Sequence, residues 1–174
     1  MNTKGTRRGG QRVRYSTWSR WHRNWRPLSV NNMDCGPNCF SLLGYSNYET
    51  SNELARRTPG GLHHDMVLLL LNAGYGHDHN WQYIRALSQI NHYLPNGQAT
   101  MASIGGEIEG GHYFVIFNSH GNFRAIDAQS RTQYDLRSYL YMYRAYGRTL
   151  YLITSPHILR RYNQVTMDEI NFFF

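Results

Sequence analysis

Cysteine is scarce in this chain: Cys35 and Cys39 are the only two among 174 residues. Four apart in one predicted helix, they share a face but are poorly placed to bridge. A disulfide scaffold is excluded, and a reducing, intracellular compartment is the expected setting. Lysine is scarcer still, since Lys4 is the only one and the other basic residues are arginine. Long apolar runs are missing too. The longest, 66–71, falls well short of the roughly 18 residues of a membrane span. The first residues carry no apolar h-region of a secretory signal. The expectation is a soluble protein made without export, one ordinary domain with terminal extensions.

Acid is absent from residues 1–27, which hold eight of the 18 Lys/Arg. The other ten face 11 Asp/Glu in the rest of the chain, so the net charge of +7 belongs to an arm and not to the body. Arg7, Arg8, Arg12 and Arg14 lie in its glycine-containing start. Trp18, Trp21 and Trp25 follow at one-face helical spacing, over 16–26, before Pro27. Arginines suit bidentate pairing with phosphate or carboxylate. The arm is therefore expected to dock on a protein partner in a larger assembly, or on nucleic acid. The tryptophans serve as anchors.

Residues 28–156 read as the folded domain and 157–174 as a C-terminal extension with an apolar end, Ile170-Asn171-Phe172-Phe173-Phe174, which either packs back or plugs into a neighbour. Helices are predicted at 35–43, closed by Gly44, and at 50–57, where Thr50 and Glu53 fit a capping box. Further helices are predicted at 64–73, ending at Gly74, at 81–93 and at 135–146. Thr166 and Glu169 fit a second capping box. Strands are predicted at 99–104, 112–118, 123–127 and 149–154. Helices first and an antiparallel sheet after them is an α+β layout.

The chemistry concentrates at Asp34-Cys35-Gly36, where turn-forming residues precede a buried helix. A cysteine in the first helical turn meets free amides and the positive end of the helix dipole, which favour a thiolate. The amide beside it can also receive an oxyanion. A thiol hydrolase further needs an imidazole and a group to hold that ring. Gly110-Gly111-His112 opens one strand and Asp127 ends the next. A turn centred on Ser119-His120 would set His112 opposite Asp127. Cys39, one turn further into the helix, reads as core. His63, His64, His77 and His79 complete no recognised zinc pattern, so no metal or cofactor is expected.

Asp34-Cys35-Gly36 with its helix, then Gly-His-Tyr-Phe-Val-Ile at 111–116 and Ile126-Asp127-Ala128-Gln129, resembles the bacteriocin-processing branch of papain-like cysteine peptidases. Residues 58–74 are similar to that family's middle segment. The resemblance spans roughly 28–130. It implies a papain-like fold, N-terminal helices packed on an antiparallel sheet, with Cys35 as nucleophile, His112 as base and Asp127 as orienting acid. Peptidases of the SUMO and adenovirus types place histidine before cysteine, and here the only histidine upstream is His22. One departure stands out. The family places a glutamine a few residues ahead of the cysteine to complete the oxyanion hole, and here Ser29 stands there. Asn31, Asn32 or Ser29 would have to supply that donor. The implied activity is hydrolysis of a protein or peptide, in a maturation protease of a virus particle or elsewhere. Deamidase, transglutaminase-like and deubiquitinase chemistry use the same parts. The competing expectation is a retired fold serving as a structural or minor subunit of a large assembly such as a capsid. A third is a nucleic-acid-binding adaptor.

Overall fold

The computed structural model describes residues 7–8, 11–12, 26–85, 90–105, 111–142, 149–156 and 163–174. In the arm, β1 (Arg7–Arg8) pairs antiparallel with β2 (Gln11–Arg12), Arg7 facing Arg12. The tryptophan segment and Arg14 lie outside the described residues. The arm's last arginine, Arg26, sets its guanidinium 3.8 Å from the centroid of the Tyr48 ring, a cation–π contact where the folded domain begins.

Helix α1 (Cys35–Leu43) forms where expected. Pro37 sits in its first turn, where no intrahelical N–H is required. Gly44 adopts φ 75° and its amide caps the carbonyls of Phe40 and Ser41. Seven of its residues are buried, so it is a central helix and not a surface one. Helix α2 (Tyr48–Arg57) starts earlier than its sequence suggests. Asn47 accepts from the Thr50 amide and is the true cap, while Glu53 pairs with Arg56 and Arg57. Helix α3 (His64–Tyr75) runs past Gly74. That glycine is there for space: a Cβ on it would lie 2.6 Å from the carbonyl oxygen of Gln164.

A short 3-10 turn (His77–His79) leads to β3 (Gln82–Arg85). The helix expected over 81–93 is thus not formed. Its start pairs as an edge strand with Leu150–Thr154, and among the described residues of this stretch the helical part is α4 (Ile90–Tyr93). Tyr83 and Ile84 pack on opposite cores, as strand alternation requires, so pairing and two-sided burial override a weak local preference. β4 (Ala99–Ile104), β5 (His112–Ser119) and β6 (Asn122–Asp127) follow. β7 (Thr132–Asp135) takes the first residue of the helix expected at 135–146, and α5 (Leu136–Met142) follows it. Residues 143–148 lie outside the described residues. β8 (Leu150–Thr154) and α6 (Met167–Phe173) complete the order, and α6 carries the expected capping box.

The six-stranded sheet runs β3-β8-β4-β5-β6-β7, antiparallel throughout. Described residues thus form six α-helices and an antiparallel sheet, an α+β architecture. Phe40, Leu54, Leu70, Val115 and Phe117 form one core between one sheet face and the helices α1 to α3. Phe114, Ile116, Tyr139, Leu140 and Leu152 form another beneath α4 and α5. Each such side chain stabilises the fold by roughly 1.5–3 kcal/mol on burial. The C-terminal segment packs back. Asn163 and Val165 donate to the carbonyls of Gly44 and Tyr45, and Ile170 is wholly buried.

The hairpin register differs from the expected one. Ser119 pairs with Asn122 and Val115 with Ile126, because the turn centres on His120 and Gly121, at φ 56° and 83°. Positive φ at both central residues gives the turn whose twist suits a two-residue hairpin. The pairing is displaced by two residues, which leaves every side chain on its expected face.

Candidate active site

Asp34, ahead of α1, makes no side-chain cap. Its buried carboxylate turns back instead to accept from the amides of Val30 (3.3 Å) and Asn31 (3.5 Å) and from Gln129 Nε2 (2.9 Å). Gln129 Nε2 also donates to the carbonyl of Asn32 at 3.0 Å. Asn38, one turn into α1, accepts from the Leu28 amide at 2.8 Å and donates to the Asp34 carbonyl at 3.0 Å. The loop before Cys35 is thereby tied both to its own helix and to the turn between β6 and β7. Since a helix leaves its first amides without intrahelical partners, Cys35 and Gly36 present N–H groups beside a half-buried thiol.

Gly36 lets this end of α1 lie directly on β5. A Cβ there would come within 3.1 Å of Leu62 Cβ and 3.3 Å of Tyr113 Cδ2. Tyr113 is the neighbour of His112, so the packing that needs glycine also brings thiol and imidazole together. His112 opens β5, paired with Ile104. Its Nε2 meets Asp127 Oδ2 at 2.8 Å, and Cys35 lies close enough to act on the charge of its ring. With Nε2 engaged by the carboxylate, Nδ1 is the nitrogen left for the thiol. Burial works against the imidazolium, but Asp127 and Cys35 outweigh it and raise the His112 pKa from 6.5 to about 9.

Asp127, the last residue of β6, is 2% exposed. It accepts from His112 on Oδ2, from Tyr139 Oη on the same oxygen at 2.8 Å, and from the Ser130 amide on Oδ1 at 3.1 Å. Burial pushes its carboxyl up, while His112, the Ser130 amide and Tyr139 together hold it well below the usual carboxylate range. Cys39 is wholly buried in the core, and burial pushes its thiol well up.

The structure therefore brings Cys35, His112 and Asp127 together from α1, β5 and β6. The other expected donors are arranged differently. Asn31 donates through Nδ2 to the carbonyl of Ala55 at 3.2 Å and accepts from the Met33 amide at 2.7 Å. Asn32 and Ser29 are exposed, and Asn32 meets Gln129 through its carbonyl. Two site residues carry no role in the sequence reading. Gln129 stands in the quoted Ile-Asp-Ala-Gln stretch, but only the fold shows its partner, Asp34. Tyr139 lies in a predicted helix, and no spacing rule says which helical side chain reaches a strand end. At the start of α3, His63, His64 and Asp65 bring potential ligand atoms within 4.8 Å of one another. Two of the residues are exposed, and His63 Nδ1 already accepts from the Asp65 amide.

Chemically, the arrangement offers a thiol at a helix N-terminus, an imidazole to take its proton and a buried carboxylate to fix the ring's tautomer, the parts of nucleophilic acyl transfer. The chain matches no known protein-family model and no curated protein.

Proposed function

We propose that this protein is a papain-like thiol hydrolase, a cysteine peptidase in which Cys35 attacks the acyl carbon and His112 takes and returns the proton. Asp127 keeps His112 Nε2 protonated and its Nδ1 directed at the thiol. The backbone amides at the start of α1 receive the oxyanion. The observation that carries this reading is the imidazole of His112, bonded to a buried carboxylate at 2.8 Å, with Cys35 near enough to act on its charge. The sequence resemblance and the α+β arrangement of early helices on an antiparallel sheet support a papain-like fold. Residues 28–156 form the hydrolase domain, and the arginine arm docks the enzyme on an acidic protein surface or nucleic acid near its substrate.

Alkylation with iodoacetamide tests the chemistry. Rapid labelling at pH 6 is expected, abolished in Cys35→Ala and slowed in His112→Ala. Slow labelling of folded protein with an ordinary thiol pH profile would reject it.

A second reading has observations of its own. The Asn31 amide is bonded to Ala55, the glutamine position holds exposed Ser29, and Phe172 is 82% exposed on α6. These fit a retired papain-like fold acting as a structural or minor subunit of a large assembly such as a virus capsid. Under it, the thiol labels slowly and the termini are buried by partner subunits.

A further inference from the structure

Asp127 Oδ2 is shared. His112 Nε2 and Tyr139 Oη both donate to this one oxygen at 2.8 Å, while the Ser130 amide holds Oδ1 at 3.1 Å. Tyr139 reaches the carboxylate from α5, a helix on the other side of the sheet from α1, and is wholly buried. Its ring lies 4.8 Å from the ring of Phe114 in β5 and 5.7 Å from that of Tyr134 in β7, centroid to centroid. Phenylalanine would make those ring contacts equally well. The hydroxyl is the one polar group this side chain carries into the core, and burying it is costly without a partner.

A phenol placed so has two effects on its acceptor. With donors on both oxygens the carboxylate plane cannot turn, which fixes the direction from which Nε2 is held. A neutral donor also draws negative charge from Oδ2, so the oxygen facing His112 is a weaker partner than an unshared one. Histidine, carboxylate and phenol thus form a branched set, with the branch point at the oxygen His112 uses.

We infer that Tyr139 is a positioning residue of this site, locking the Asp127 carboxylate against His112 and setting how tightly the imidazolium is held. The inference rests on the proposed thiol-hydrolase reading for its consequence and on the shared oxygen for its geometry. Among the described residues, the titratable groups that act on the pair include Cys35 and Cys39 from α1 and Tyr139 itself from α5. Of these, Tyr139 donates to Oδ2.

The experiment is an NMR titration of the His112 ring nitrogens, with alkylation of Cys35 at pH 6 in parallel, on the full chain. Tyr139→Phe removes one donor and leaves Oδ2 more basic. The His112 midpoint is expected to rise by about 0.5–1 pH unit, and Cys35 labelling to slow several-fold as the ring loses its fixed direction. Tyr134→Phe disturbs the same ring cluster without touching the carboxylate and should move neither. Should Tyr139→Phe fold poorly, 3-fluorotyrosine at 139 keeps ring and hydroxyl but donates more strongly, and should lower the midpoint. A midpoint unmoved or lowered in folded Tyr139→Phe, or moved equally by Tyr134→Phe, overturns the inference. A midpoint that rises while the wild-type thiol labels slowly upholds Tyr139 and removes the hydrolase reading.

Discussion

Replacing Asp127 with asparagine keeps its shape and removes its charge, so the outcome depends on three donors competing for one amide. In the native protein both carboxylate oxygens accept: Oδ2 from His112 and Tyr139, Oδ1 from the Ser130 amide. An asparagine turned to satisfy Ser130 points its NH2 at His112. The imidazole must then accept at Nε2 and carry its proton on Nδ1, facing Cys35 with a donor where a base is needed. Turned the other way, it leaves the Ser130 amide facing an NH2. Either orientation strands a buried donor, at a cost of about 1–3 kcal/mol. A second loss depends on pH. The rise of the His112 pKa from 6.5 to about 9 corresponds to roughly 3 kcal/mol, at ~1.4 kcal/mol per unit, shared between Asp127 and Cys35. A raised histidine pKa contributes stability that is complete below pH 6.5 and fades as pH climbs through 9. The lowered Asp127 contributes from above the ordinary carboxylate range and is lost only in strong acid. Between pH 4.5 and 6.5, Asp127→Asn should therefore be less stable than wild type by about 3 kcal/mol or more. By pH 9.5 the gap should narrow to the hydrogen-bond part alone. Urea unfolding followed by tryptophan fluorescence at pH 6 and 9.5 measures both gaps. Equal gaps at the two values would refute the ion pair, and with it the argument that this carboxylate sets the protonation of His112.

The same geometry predicts the outcome of three other changes. Gln129→Ala removes the side-chain link between the β6–β7 turn and Asp34, and should cost about 1–2 kcal/mol in urea unfolding while slowing Cys35 alkylation. Equal stability and unchanged labelling would mean that this link does not set the position of Cys35. Gly36→Ala drives a methyl against Leu62 and Tyr113, and should slow labelling and lower Tm by a few degrees; Leu62→Ala in the same chain should recover part of the labelling rate by making room. Gly74→Ala cannot keep Gln164 where it is, because the gap to the carbonyl oxygen is only 2.6 Å. The segment 163–174 should become protease-sensitive, with Cys35 labelling little changed.

What could be read from the chain was local or carried by spacing. The start of α1, its glycine stop, the capping box of α6 and the four inner strands follow from residues within a few positions of each other. The elements that escaped are those settled by a distant partner. Gln82–Arg85 forms a strand because β8 offers an edge, and Thr132–Asp135 because β6 does. Asn47 displaces Thr50 as the cap of α2 by accepting the very amide that Thr50 carries. Gly74 looks like a helix stop but is a crossing point, which only the return of the C-terminal segment explains.

The His112–Asp127 pair shows why a wrong register can still point to two side chains that meet. Centring the turn one residue early mispairs the two strands by two positions, yet the side chains on each face are unchanged. His112 and Asp127 then meet diagonally instead of directly opposite, well within the span of an imidazole. An error of one in the pairing would have put them on opposite faces and hidden the site. The face is thus fixed by parity, which alternation in the sequence carries, while the exact partner is fixed by turn geometry at His120 and Gly121. Tyr139 has no such parity signal. Its approach to Asp127 depends on how far β7 runs before α5 begins, and pairing with β6 decides that. The groups that hold this candidate site in place are written in tertiary packing, and the cysteine, histidine and aspartate it brings together are written closer to the sequence.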